Sequence, residues 1–273
     1  MSLSAMFPLA GIITLACAAL VWAGARRVDL PQILQPRRLA PILMLFSIAV
    51  TMLAFIEINP VTAQGINFTL AASVAVATMI VQGIYAVGIL RHGIQGLGLF
   101  LLPATAVPLL IIPLLPHAHT PNWVHTTSVL ETGHLLVSLL AYAILTLAAI
   151  HAVMQLLLDR ALKRKQLNMM VQALPSLLEI DRHMFEQVWL STWLIGISIL
   201  TGLSWQWIEF HHFALLNHKV LLAMFSFGVL ILLLVKRSKA QWPGRVASRV
   251  VLSAYGLLLL AYFGVKLINS WLH

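Results

Sequence analysis

Charge is what this chain has least of. Only 9% of its 273 residues are Asp, Glu, Lys or Arg, against roughly 25% in an ordinary soluble domain, so polar surface is too scarce to cover a water-soluble globule. Cysteine is almost missing as well: Cys17 stands alone, which excludes a disulfide scaffold and Cys-x-x-Cys chemistry. There is no nucleotide-binding glycine loop, no His-Glu-x-x-His and no nucleophile motif, so no autonomous enzyme activity is expected. Apolar residues fill the space left over. They make up 60% of the chain, with a mean hydropathy of +0.94, which excludes a disordered chain or a coiled coil. The net charge of +9 would suit nucleic acid, but the basic residues only punctuate short loops between long apolar runs. That is the pattern of a polytopic membrane protein, with the lipid bilayer as its partner and no nucleic acid.

A helix needs about 20 mostly apolar residues to cross the hydrocarbon core. Such runs extend from Phe7 to Ala25, Ala40 to Ile58, Phe68 to Leu90, Leu97 to Leu115, Val129 to Leu158, Val188 to Phe210, Leu216 to Val235 and Val250 to Leu272. The fold expected is therefore all-α, a transmembrane helical bundle of about eight spans in one domain covering 1–273. The fourth run is interrupted by Pro103, Pro108 and Pro113 and reads as a bent span, because neighbouring helices re-satisfy the carbonyls that proline frees. Of the 17 basic residues, 15 fall on one alternating set of loops, leaving Lys219 and Lys266. The positive-inside rule makes that set cytoplasmic and puts both termini on the outer, periplasmic side of a bacterial inner membrane. The first run lacks a positive n-region, and its arginines follow it, so it reads as a retained helix and not a signal peptide.

Two connections carry more than a turn. Gln166 to Gln187 is an amphipathic cytoplasmic stretch, with Pro175 where a first helical turn would begin; it reads either as an interfacial helix or as a linker half-buried against the bundle. The outer loop Pro116 to Thr127 holds His117, His119, His125 and Trp123.

Histidine is unevenly placed. Of 11, eight fall on outer loops or outer span ends: His117, His119, His125, His134, His211, His212, His218 and His273. His151 lies on the helix of His134 but about 25 Å deeper at 1.5 Å per residue. Ionisable groups at membrane depth are costly and usually face a bundle interior or cavity, and neutral imidazole offers the lone pair that metals and haem iron take. His134, His218 and His273 stand near the same outer level on spans five, seven and eight. Each is equally an amphipathic residue at home among headgroups. Trp205, with Trp207, Phe210 and Trp271, clusters at that level, as an aromatic belt or as a wall for a flat macrocycle. Lys219 and Lys266 lie nearby and would neutralise the carboxylates of an anionic ligand; for Lys219, snorkelling to the interface is the alternative.

An ordered set of residues carries a resemblance. It runs from His134-Leu135 through Ala141-Tyr142, Leu174-Pro175-Ser176-Leu177 and Leu200-Thr201-Gly202 with Trp205. It continues with Asn217-His218-Lys219, Lys236-Arg237 and Ala261-Tyr262-Phe263-Gly264-Val265, and ends at Leu272-His273. In these features the chain resembles the cytochrome c assembly protein family of CcsA and HemX-like membrane proteins over roughly Ala71 to His273. Within that family it resembles the short eight-span members of the YpjD type. The resemblance implies haem held on the outer side by two histidines for delivery to an apocytochrome c or another cytochrome-assembly membrane protein. His134 matches the first external ligand position and His273 the second, with His218 competing to partner His134. The family's tryptophan-rich Trp-Asp-Pro-Lys-Glu loop is replaced by Leu216-Asn217-His218-Lys219-Val220, and a membrane-embedded histidine by Val235. These departures leave standing a HemX-like accessory or regulatory role. Two other readings remain open from the residues: a permease subunit for a small solute, with its pocket facing outward, or a regulatory partner of another membrane complex acting through 166–187.

Overall fold

A computed structural model describes residues 6–26, 35–58, 61–62, 65–92, 96–111, 123–124, 128–165, 169–211, 218–240, 242 and 244–261. Among them the elements run α1 (Met6–Ala25), α2 (Pro36–Ile58), β1 (Val61–Thr62), β2 (Gly65–Asn67), α3 (Leu70–His92), α4 (Gly98–Ile111), β3 (Trp123–Val124), α5 (Val129–Lys163), α6 (Met169–Gln172), α7 (Leu177–Phe210), α8 (His218–Ala240) and α9 (Gly244–Leu259). Six are long and apolar enough to cross a membrane: α1, α2, α3, α5, α7 and α8. A seventh, α4, is apolar but shorter, at 14 residues, and accommodates both Pro103 and Pro108. The eighth, α9, opens at Gly244, six residues before the predicted run, and passes into a π turn at Leu260–Ala261. The chain is a polytopic helical membrane protein. The three short strands add only a ribbon in the connections, β1 antiparallel to β2 and β2 antiparallel to β3.

The stretch 166–187 is divided between two helices. The chain makes the four-residue α6, breaks at Ala173–Ser176 and starts α7 at Leu177. Pro175 therefore precedes the helix instead of occupying its first turn. Ser176 takes the capping position, and Glu179 stands three residues on, the Ser-x-x-Glu pattern that suits a helix start. From there α7 continues without a break for 34 residues.

One domain is expected from the sequence; packing divides the described residues into two compact units. The first comprises those of Met1–Pro60, Ala71–Thr120 and Leu157–Leu177, the second those of Val61–Leu70, Pro121–Leu156 and Leu178–His273. In the first, α1 packs most extensively on α4 and α2. Gly11 makes this close approach feasible, because a Cβ there would sit 2.8 Å from a side-chain carbon of Leu110 and 3.3 Å from the Ala106 carbonyl. Phe7, Ala10, Val50, Ala54, Ala71, Ala75 and Leu109 form its buried cluster. A polar knot crosses all four helices: Thr14 Oγ1 is 2.8 Å from Ser47 Oγ, and Gln82 Nε2 donates to the hydroxyls of Thr14 and Thr105 at 3.1 and 3.3 Å. Thr14 and Thr105 also donate to carbonyls one turn back, as hydroxyls in membrane helices commonly do.

The second unit gathers α5, α7, α8 and α9, so spans five to eight are neighbours as expected. Ala141, Leu145, Ala148 and Ala152 form a stripe on α5, and Ala247, Val251, Ala254 and Leu258 repeat the same spacing on α9. Small residues on such a stripe let backbones approach. Helices α5 and α9 are then tied by Tyr142 Oη to the Leu258 carbonyl and Thr146 Oγ1 to Tyr255 Oη, both at 3.1 Å. Ser226 Oγ donates from α8 to the Ala254 carbonyl of α9 at 2.9 Å. Together with the pairs at either end, these contacts run α5 antiparallel to α7 and to α9.

Candidate functional site at the His134 end

The N-terminus of α5 is set by Ser128, whose hydroxyl accepts the Glu131 N–H at 3.3 Å, a capping interaction that satisfies one orphan donor of the first turn. That start puts His134 less than two turns into the helix and aims it at α7. There its Nδ1 lies 2.8 Å from the Ser198 carbonyl oxygen. A carbonyl only accepts, so Nδ1 carries the hydrogen and Nε2 keeps the lone pair of the neutral ring. Ser138 Oγ donates to the His134 carbonyl at 2.5 Å and meets Ser198 Oγ at 2.8 Å, bracing the two helices at this level. Thr201 Oγ1 donates to the Ser198 carbonyl at 3.1 Å.

The floor under the ring is Gly202. A Cβ at that position would stand 2.8 Å from His134 Cε1 and 3.0 Å from Nδ1, so only glycine admits the imidazole without displacement. Ser198, Thr201, Gly202 and Trp205 are spaced i, i+3, i+4, i+7 and share one face of α7. Trp205 is half-buried on that face and meets Phe210 edge-on, with centroids 5.5 Å apart. Gly202→Val is expected to push the ring off the Ser198 carbonyl and to cost about 1–3 kcal/mol of stability, the usual range for overpacking. Loss of the hydrogen-bonded His134 Nδ1–H resonance in NMR, alongside a lowered melting temperature and unchanged helicity, is the measurement that checks it.

The other predicted residues divide clearly. Helix α8 opens at His218, and its antiparallel register brings that backbone within about two turns of His134 in depth, at 1.5 Å per residue. Lys219 follows it with an exposed side chain. The His218 side chain, Lys266 and His273 lie outside the described residues, as do His117, His119, His125 and His212. Among the described residues no three His, Cys, Asp or Glu side chains gather to hold a metal ion.

Reading the sequence missed the opposite end of this unit. Asp181 of α7 accepts Gln155 Nε2 of α5 at 2.8 Å and Arg237 Nη2 of α8 at 2.6 Å, and Ser248 Oγ of α9 donates to Gln155 Oε1 at 2.6 Å. Four helices are joined by one chain of hydrogen bonds, buried at Gln155, Asp181 and Ser248. Asp181 and Arg237 are 56 positions apart, so no local spacing reveals the pair. At the His134 seat the sequence singled out His134 and Trp205, but not the contact of His134 with Ser198 and Gly202.

The family model described as cytochrome c assembly protein matches residues 37–273. The chain belongs to the cytochrome c assembly protein family. The match takes in α2, so family likeness begins earlier than the residues around Ala71 suggest. An uncharacterised 28.8 kDa protein of Azospirillum brasilense is 36% identical over 137 residues, 50% of this chain and 51% of that protein. Inner membrane protein YpjD of Escherichia coli strain K12 is 31% identical over 139 residues, again 50% and 51%. Protein HemX of Brevibacillus brevis is 26% identical over 138 residues with the same coverage. The chain thus spans about half the length of the curated relatives it matches. No solved structure matches.

Proposed function

We propose that this family member binds haem at the His134 end of its second unit and acts as a haem-handling or accessory factor in cytochrome c assembly. The observation that carries the reading is the His134 seat. Its Nδ1–H is spent on the Ser198 carbonyl, which fixes the tautomer and ring orientation and leaves Nε2 as the coordinating atom, the arrangement found behind metal-bound histidines. A neutral imidazole held in this way suits haem iron, and His134 would hold it. His218 or His273 would supply the second imidazole, Trp205 a wall, and Lys219 and Lys266 positive charge for an anionic ligand. Haem when bound would bring the iron and the reactive macrocycle; the chain's own residues bind and orient it, hold the His134 tautomer and exclude water, and catalyse nothing alone. The positive-inside distribution supports a cytoplasmic location for the end bearing Arg237 and Arg249, which turns the His134 end outward across a bacterial inner membrane. That is the side on which an apocytochrome partner would be met.

The test is an optical and EPR spectrum of the detergent-purified protein with and without added haem. A Soret band with a low-spin bis-imidazole signal, saturating at one haem per chain, is the expected result. A colourless, well-folded preparation that stays so after haem addition would end the proposal.

A further inference from the structure

A groove of about 570 Å³ runs between α7 and α8 at the end of the second unit remote from His134. Leu178, Arg182, Phe185, Glu186 and Trp189 line it from one face of α7, and Arg237 from α8. From Leu178 to Trp189 the face extends about 16 Å at 1.5 Å per residue. Leu178 is 79% and Trp189 56% exposed, so no other part of the described chain covers this surface. Arg182 Nε meets Glu186 Oε1 at 2.9 Å across an exposed turn, and His183 Nδ1 lies 3.2 Å from the other carboxylate oxygen. Exposed pairs of this kind are worth at most about 1 kcal/mol, so either partner turns to an outside ligand at small cost. Arg237 is held by Asp181, with its guanidinium 4.4 Å over the Phe185 ring.

We propose that this groove is a site for one bilayer phospholipid with a zwitterionic, primary-ammonium headgroup. Its phosphate sits on Arg182, its ammonium on Glu186, and an acyl chain lies along Phe185 and Trp189. Depth argues for a lipid. Helix α7 has 34 residues, about 51 Å, whereas a bilayer core of ~30 Å takes about 20. The first turns of α7 therefore stand at headgroup level, and the groove descends from there into hydrocarbon. Its occupant must be charged above and apolar below. A transmembrane helix of another protein would seek small residues for close packing, and this wall presents Phe185 and Trp189. Charge argues for the zwitterion: two guanidiniums face two carboxylates, Asp181 and Glu186, and a purely anionic headgroup would be set against the exposed Glu186.

Native mass spectrometry of the full chain in detergent, titrated separately with phosphatidylethanolamine, phosphatidylglycerol and phosphatidylcholine, decides the matter. One phosphatidylethanolamine is expected per chain, favoured about tenfold over phosphatidylglycerol, the size of one charge-assisted hydrogen bond. Arg182→Gln should weaken all three about fivefold, and Glu186→Gln should abolish the preference for ethanolamine over glycerol. Both side chains are exposed, so helicity and melting temperature report that the variants fold. Equal binding of phosphatidylglycerol, an ethanolamine preference that survives Glu186→Gln, or a second copy of the chain displacing lipid would each overturn the assignment.

Discussion

Replacing His134 with alanine is expected to lower haem affinity by more than about a hundredfold while leaving the bundle folded. Losing merely an outer hydrogen-bond partner of a metal ligand typically costs ~10–100-fold, and here the coordinating atom itself is removed. Stability should change little. The Ser198 carbonyl that loses the imidazole stays in the helical hydrogen-bond ladder of α7, so the backbone is not left unpaired and the expected cost is about 1 kcal/mol. Haem titration followed at the Soret band, beside a melting curve on the same sample, separates the two effects. Running His218→Ala and His273→Ala in parallel identifies the second ligand as the one whose loss converts a low-spin spectrum to high-spin. A His134→Ala protein that retains the full Soret amplitude would remove His134 from the site, whatever the other two variants do.

Asp181→Ala is expected to be the most destabilising single change in the second unit, by about 3 kcal/mol. The substitution strands Gln155 Nε2 on α5 and Arg237 on α8 together, and removing one partner of a buried, hydrogen-bonded charge pair typically costs 3–5 kcal/mol. The lower end applies because Arg237 is partly exposed and can recover some hydration. Thermal unfolding in detergent should show the loss as a drop of roughly 5–10 °C. Combining Asp181→Ala with Arg237→Met should recover part of it, because no uncompensated charge then remains. The change should leave haem affinity almost untouched: Gln155 and His134 are 21 residues apart on one helix, about 32 Å. An Asp181→Ala protein as stable as the parent would mean that helix packing alone holds this end together.

How much was legible before the structure follows from the range over which each signal acts. The apolar runs around α1, α2, α3, α5, α7 and α8 were readable because a membrane helix satisfies its own backbone within about 20 consecutive residues. The fourth span was harder. Its prolines suggested a bent span, and α4 carries Pro103 and Pro108 within one short helix packed on α1. The start of α7 differs from the expected one for a local reason. Pro175 looked like a first-turn proline, but Ser176 and Glu179 form the stronger start signal one position later. At the candidate site, span order suggested that His134, His218 and His273 share a level, and the described residues bear only on the backbone depth of the first two. That His134 is held by a backbone carbonyl was invisible, because Ser198 lies 64 positions away and any residue supplies a carbonyl.

Composition and hydropathy alone determined that this protein lives in a membrane, is helical, and sorts its basic residues to one set of loops. Each of those properties is decided within a span or a loop, by the transfer of apolar side chains out of water and the avoidance of charge in lipid. Tertiary structure decided which polar groups meet. The four-helix chain from Arg237 through Asp181 and Gln155 to Ser248, and the seat of His134 on Ser198 and Gly202, exist only because antiparallel helices bring distant positions level. No periodicity along a single helix records what its neighbour will offer.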